Sequence, residues 1–145
     1  AWLRNNRWLP PAHYGSGLLA RNGNPAVGWL IPQPWVIDAD GDRVRFDDIV
    51  GGHWTVLHTG TDAAAGAWRS AGVPVLRIAG PGSAPGADRI VDRDGTLLRW
   101  LEDKKTSVIA LRPDGFVYAG GTPQRPLPPP PAGFTAQANR VKDHA

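Results

Sequence analysis

The sequence predicts an α/β domain: a mixed sheet closed by a C-terminal β-hairpin, flanked by short helices and rich in loops. Three observations predict it. The first is an order of segments, with an apolar, β-rich run at Trp54–His58, an alanine-rich run at Ala63–Ala71 and a second apolar run at Val73–Ile78. Strand, helix and strand at that spacing make a parallel βαβ unit. The second is the stretch from Val108 to Ala119, two strand-like runs around Arg112-Pro113-Asp114-Gly115. The third is composition: 18 glycines, 15 prolines and no cysteine in 145 residues make a loop-rich chain that no disulfide can staple.

Each element has a local cause. Trp35-Val36-Ile37 and Arg43-Val44-Arg45-Phe46 flank Asp38-Ala39-Asp40-Gly41-Asp42, a hairpin signal with Asp-Gly at its tip. Thr61-Asp62 supplies an N-cap and an acidic first turn to the helix over Ala63–Ala71, which Gly72 stops. Pro81–Gly86 is a loop, Arg89-Ile90-Val91 extends, and Leu97–Leu101 is a short helix or strand carrying Trp100. Val108–Leu111 reads as a strand buried on both faces, and Phe116–Ala119 as its aromatic partner. Between them Pro113 presets φ for a type I turn, Asp114 tolerates the next position and Gly115 accepts φ > 0. Arg125-Pro126-Leu127-Pro128-Pro129-Pro130-Pro131 is polyproline II, read first as a stiff spacer and second as an SH3-type ligand. Trp35, Trp54, Trp68 and Trp100 are expected in the core, whereas Trp2, Trp8 and Trp29 are expected to face other domains.

Strand, helix, strand, connection and hairpin is the order of a thioredoxin-like core. The same words in the same order also occur in a known family. Gly28-Trp29-Leu30-Ile31-Pro32-Gln33-Pro34, Phe46-Asp47-Asp48-Ile49-Val50-Gly51, Asp92-Arg93-Asp94-Gly95 running on to Trp100-Leu101, and Arg112-Pro113-Asp114-Gly115 before Phe116 stand in sequence. They resemble the C-terminal thioredoxin-like tail of FAD-dependent aromatic-ring hydroxylases, flavoprotein monooxygenases similar to 3-(3-hydroxyphenyl)propionate hydroxylase. The resemblance implies structural roles for Pro32, Gln33, Pro34, Asp47, Asp48, Gly51, Asp92, Gly95, Trp100, Arg112, Pro113, Asp114 and Gly115. It implies that residues 1–27 lead out of a missing upstream domain, that 28–121 form the thioredoxin-like domain, and that 122–145 are a Pro-rich segment and tail. It further implies a parent enzyme that reduces FAD with NAD(P)H and inserts one oxygen atom into a phenol-type ring. The FAD-binding and substrate domains of the same polypeptide are the implied partners, together with a role in dimerisation.

Chemistry is excluded on residue types. A thiol oxidoreductase carries its cysteines between the first core strand and the helix, where the helix N-terminus lowers a thiol pKa. Here that junction is Thr59-Gly60-Thr61-Asp62-Ala63-Ala64, and no proline stands in Lys104-Lys105-Thr106-Ser107 before the hairpin. The Asp38–Asp42 acids mimic a calcium loop, but its sixth position is Arg43 and its twelfth Ile49. They read as a solvated hairpin tip, as does Asp92-Arg93-Asp94-Gly95. His13, His53, His58 and His144 lack zinc spacing, and His53 and His58 read as strand-end residues. No Gly-x-Gly-x-x-Gly, Walker loop or Gly-x-Ser-x-Gly occurs, so no catalytic, cofactor or metal residue is expected in this chain.

A net charge of +3 with scattered basic residues argues against nucleic acid, and no apolar run reaches membrane-span length. The absence of methionine and of an export signal leads us to expect a cytoplasmic fragment of a longer polypeptide. The resulting expectation is a non-catalytic structural or oligomerisation domain of an aromatic monooxygenase. Its rival is a free-standing interaction module using the Pro-rich segment or an aromatic face. A third reading is a degenerate peroxiredoxin-like enzyme without a thiol.

Overall fold

The computed structural model describes residues 19–20, 23–60 and 65–134. The elements are β1 (Trp35–Ile37), β2 (Arg43–Arg45), α1 (Phe46–Val50), β3 (Thr55–His58), α2 (Gly66–Ser70), β4 (Val75–Ala79), β5 (Arg89–Val91), α3 (Thr96–Asp103), β6 (Val108–Leu111) and β7 (Val117–Gly121). The seven strands form one mixed sheet in the order β2-β1-β5-β4-β3-β6-β7. β3 and β4 pair in parallel, as do β4 and β5. β6 runs antiparallel to β3, with Val56 opposite Ala110, and β7 runs antiparallel to β6. A βαβ unit whose first strand borders an antiparallel hairpin is the thioredoxin-like core. β5 and the β1–β2 hairpin extend it on one side.

Alternation along the strands explains both layers. From β3 and β6, Leu57, Ile109 and Leu111 enter one core with Leu97 and Leu101 of α3 and Phe46 and Val50 of α1. Their neighbours Val56, Val108 and Ala110 enter the other core, with Trp54, Trp68 of α2, Tyr118 and Leu127. β6 is therefore apolar at every position and β3 is apolar at its centre, Val56 and Leu57, as strands covered on two faces must be. Burying each large side chain fully, as for Trp68, Phe46 and Leu57, stabilises the fold by about 1.5–3 kcal/mol.

Several expectations change. The segment Leu97–Leu101 belongs to a helix of eight residues, because Asp92 and Gly95 start it. Helix α2 spans five residues, and the expected cap at Thr61-Asp62 lies outside the described residues, as do Trp2, Trp8, His13 and His144. Trp35 is not core: it is 39% exposed, because β1 and β2 form the sheet's outermost hairpin, where one face has no covering helix among the described residues. Asp92 is fully buried rather than solvated, since it lies at the end of β5 beneath α3. The Pro-rich segment is not a free spacer. Leu127 is buried in the second core, and the Trp68 indole Nε1–H donates to the Pro128 carbonyl at 2.8 Å.

Candidate functional site

Three of the four segments that carry the resemblance meet at one corner. The turn at residues 112–115 closes with Gly115 N–H donating to the Arg112 carbonyl at 3.0 Å, and Gly115 takes φ of 87°. Asp114 rigidifies it twice, accepting from the Arg112 guanidinium and, at 3.3 Å, from the Phe116 N–H. The Gly28–Pro34 segment runs alongside. Gly28 N–H donates to the Val117 carbonyl at 2.9 Å, Val117 N–H to Trp29 at 2.9 Å and Ile31 N–H to Gly115 at 3.0 Å. Gln33 has its amide nitrogen 3.7 Å from where a Cβ on Gly115 would sit. From the Phe46–Gly51 segment, Phe46 N–H donates to the Pro34 carbonyl at 3.0 Å, and Gly52, the next residue, donates its N–H to the Pro113 carbonyl at 3.1 Å. Pro32 is half-buried, and Asp47 and Asp48 are exposed. Asp48 Oδ2 accepts from the Arg45 N–H at 3.2 Å, and a side chain at Gly51 would meet the Asp47 carbonyl at 2.6 Å.

The fourth segment stands apart, at α3. Asp92 Oδ2 accepts the Leu98 N–H at 2.8 Å, satisfying a donor that the first turn of a helix leaves open. Gly95 precedes the helix with φ of 73°, a conformation that suits glycine. Burial pushes the Asp92 carboxyl above the ordinary range; the Leu98 N–H and the Arg99 charge offset this only in part. Trp100 joins the corner at second hand: Lys104 Nζ sits 3.8 Å from the Trp29 ring centroid and 5.8 Å from that of Trp100. This ammonium between two indoles ties α3 to the Gly28–Pro34 segment.

The position at which a thioredoxin holds its thiols lies at the end of β3. Thr59, Pro81, Gly95, Leu98, Arg99, Leu101, Glu102 and Thr106 line a groove of about 440 Å³ there. The Thr106 hydroxyl donates to the Lys104 carbonyl at 2.8 Å and lies 3.2 Å from Asn24 Oδ1. The Thr59 hydroxyl faces the Ser107 carbonyl at 3.4 Å. Both hydroxyls bond the backbone, and among the described residues the lining holds no histidine or thiol that could activate either as a nucleophile. His53 is likewise structural: its ring nitrogens lie 3.0 Å from the Ile49 carbonyl and 3.1 Å from the Thr55 hydroxyl. The acids Asp38, Asp40 and Asp42 cluster at the hairpin tip, where Asp38 Oδ1 accepts the N–H groups of Asp40 and Asp42. That is an Asx turn, which needs no ion.

Sequence reasoning missed the aromatic box on the second face. Trp54 lies 5.9 Å from Trp68, 5.5 Å from Tyr118 and 5.1 Å from Phe134, between ring centroids. The only available signal was the aromatic at Phe134 beyond the proline run, whose partners sit far away in sequence.

Residues 28–127 match the family model described as the HcaD C-terminal domain, so the chain belongs to that family of hydroxylase tail domains. Two relatives are 3-(3-hydroxy-phenyl)propionate/3-hydroxycinnamic acid hydroxylases: one from Escherichia coli strain SMS-3-5, 30% identical over 135 residues, and one from Klebsiella pneumoniae subsp. pneumoniae, 27% identical over 135 residues. Each alignment covers 81% of this chain and 24% of the relative, so the chain spans about a quarter of their length. A solved aklavinone-11 hydroxylase, in a ternary complex with FAD and aklavinone, aligns with 87% of this chain and 24% of its own, at 21% identity and a TM-score of 0.49.

Proposed function

We propose that this chain is the non-catalytic C-terminal structural domain of an FAD- and NAD(P)H-dependent monooxygenase of the cytoplasm. The parent hydroxylates a phenol-type aromatic ring such as 3-(3-hydroxyphenyl)propionate. The observation that carries the reading is the division of labour among the residues. Three of the four segments that carry the resemblance hold one corner of the fold, the fourth starts α3, and the groove at the end of β3 offers no activated nucleophile among the described residues. The residues do not suit a flavin either. The sequence has no Gly-x-Gly-x-x-Gly phosphate turn, and the groove sets the Glu102 carboxylate beside Arg99 among apolar side chains, which does not favour a pyrophosphate. FAD and NAD(P)H therefore belong to the other domains of the polypeptide, and this domain supports their fold and assembly.

The free-standing interaction module is not favoured, because Leu127 and Pro128 of the Pro-rich segment point inward and are used by the domain itself. The test is deletion of this domain from the full-length parent. The expected outcome is a lower melting temperature or altered oligomeric state, with the chemical step preserved in whatever fraction stays folded. A truncated parent that remained folded and assembled, yet lost hydroxylation, would sink the structural role.

A further inference from the structure

The sheet has two edges, and they differ. β7 is covered by backbone bonds from Ala20, Gly28 and Trp29. Among the described residues, β2 has β1 on one side and no strand on the other. The register settles what that edge presents. Asp38 pairs with Asp42 and Phe46 with Pro34 through backbone bonds, so Val44 bonds inward to Val36. In an antiparallel ladder the alternate residues, Arg43 and Arg45, then turn their backbone groups outward. The Arg45 N–H is taken by Asp48, which leaves the Arg43 N–H on the open edge.

The side chains above this edge form a basic, aromatic platform. The Arg43 guanidinium lies 4.3 Å and that of Arg45 5.0 Å from the centroid of the exposed Trp35 ring. A cleft of about 200 Å³ opens beside them, lined by Trp35, Ile37, Arg43, Arg93 and Asp94 among others. Among the described residues, Arg43, Arg45 and Arg93 have no ion-pair partner. Asp94 lies on the rim and Asp42 and Asp48 flank the ends of β2, so the positive charge is concentrated at the centre of the platform, over Trp35. A second copy does not suit it, since an antiparallel β2–β2 pair centred on Val44 sets Arg43 against Arg45, and like charges directly opposite are destabilising.

We propose that this edge, with Trp35, Arg43, Arg45 and Arg93, is where an extended acidic segment from the remainder of the polypeptide docks. Three guanidiniums without an ion-pair partner among the described residues call for carboxylates, and an edge left open among those residues calls for extended backbone. About three-quarters of the length of the curated relatives lies outside this chain, which is ample source for such a segment. The inference rests on the reading that this chain is part of a longer flavoprotein.

The experiment is amide hydrogen exchange on the full-length polypeptide, comparing it with its R43E/R45E variant. Both substitutions fall on exposed residues, and unchanged exchange in β3 and β6 reports an intact fold. The wild type is expected to protect the Arg43 amide, and the variant to exchange it about tenfold faster. Salt near 1 M is expected to reproduce the variant's behaviour in the wild type, because it screens exposed charges to within about 3 Å. Equal, fast exchange in both proteins would mean that the arginines merely blunt an open edge, and would overturn the proposal. So would protection indifferent to charge reversal, protection that rises with protein concentration (a second copy), or protection that appears only with added nucleic acid. If the gene encoded no further domain, the tail-domain reading itself would fall, a result distinguishable from an edge left open in an intact parent.

Discussion

Asp92 shows how one residue changes meaning on folding. In sequence it begins Asp-Arg-Asp-Gly, a turn word; in the fold it is a buried cap for α3, with its second oxygen, Oδ1, lacking a hydrogen-bond partner among the described residues. Asp92→Ala is expected to cost about 1 kcal/mol in urea unfolding, the usual worth of a cap. The pH dependence has a definite sign. The folded carboxyl titrates above its unfolded value of 3.8, so the folded chain binds the proton more tightly. Stability from this group therefore falls as pH rises from that value through the folded pKa, and stays lowered above it. Asp92→Asn, which can still accept from Leu98, is expected to flatten this component as pH rises above 3.8. An Asp92→Asn curve parallel to the wild type would refute the assignment. Gly121 makes the second residue-scale prediction. A Cβ there would meet the Leu127 N at 2.5 Å and the Arg125 carbonyl at 2.9 Å, both backbone atoms. Gly121→Ala is expected to lose about 1–3 kcal/mol by overpacking, read from the urea midpoint.

At the scale of elements, the segment 122–134 acts as a strap over the second face. Its anchors are the Leu127 side chain, the Pro128 carbonyl and the Phe134 ring, which lies 5.4 Å from Trp68. Trp68→Phe keeps most of the ring contacts but removes the indole N–H. It is expected to cost about 1–3 kcal/mol, because the Pro128 carbonyl loses its donor and the smaller ring packs less fully. Hydrogen exchange at Leu127 should rise in step; an unchanged strap would mean that the indole bond contributes nothing. Lys104→Ala, removing the cation between Trp29 and Trp100, is expected to cost about 0.5–1 kcal/mol, and Lys104→Arg to retain most of it. The hairpin at 108–121 was legible because its turn chemistry is local: Pro113, Asp114 and Gly115 each do in the fold what their backbone preferences dictate. The strap was not, because prolines specify the backbone shape but not the surface against which it lies.

For the whole molecule, the two cores sit on opposite faces of one sheet and share the central strands, so damage to either face is expected to unfold both. Truncation after Gly121 is the sharpest test. It uncovers Trp54, Trp68 and Tyr118 together, and is expected to abolish cooperative unfolding, seen as a broad tryptophan-fluorescence transition. A truncated chain with a sharp transition near the wild-type midpoint would show that the strap is dispensable. The motif segments at 28–34, 46–51 and 112–115 were visible in sequence as separate words. Their meeting at one corner depends on strand order, which pattern does not encode.

By itself, the sequence determined the α/β class, the βαβ-plus-hairpin order, the turn at Pro113–Gly115 and the absence of thiol chemistry. These follow from residue type, period and local backbone preference. Only the tertiary structure decided that Asp92 is buried, that Trp35 is exposed on the outer hairpin, that the Pro-rich segment closes the second core, and that β2 is the edge left open among the described residues. The reason is physical: exposure depends on which neighbours arrive from far along the chain, and no local pattern specifies them.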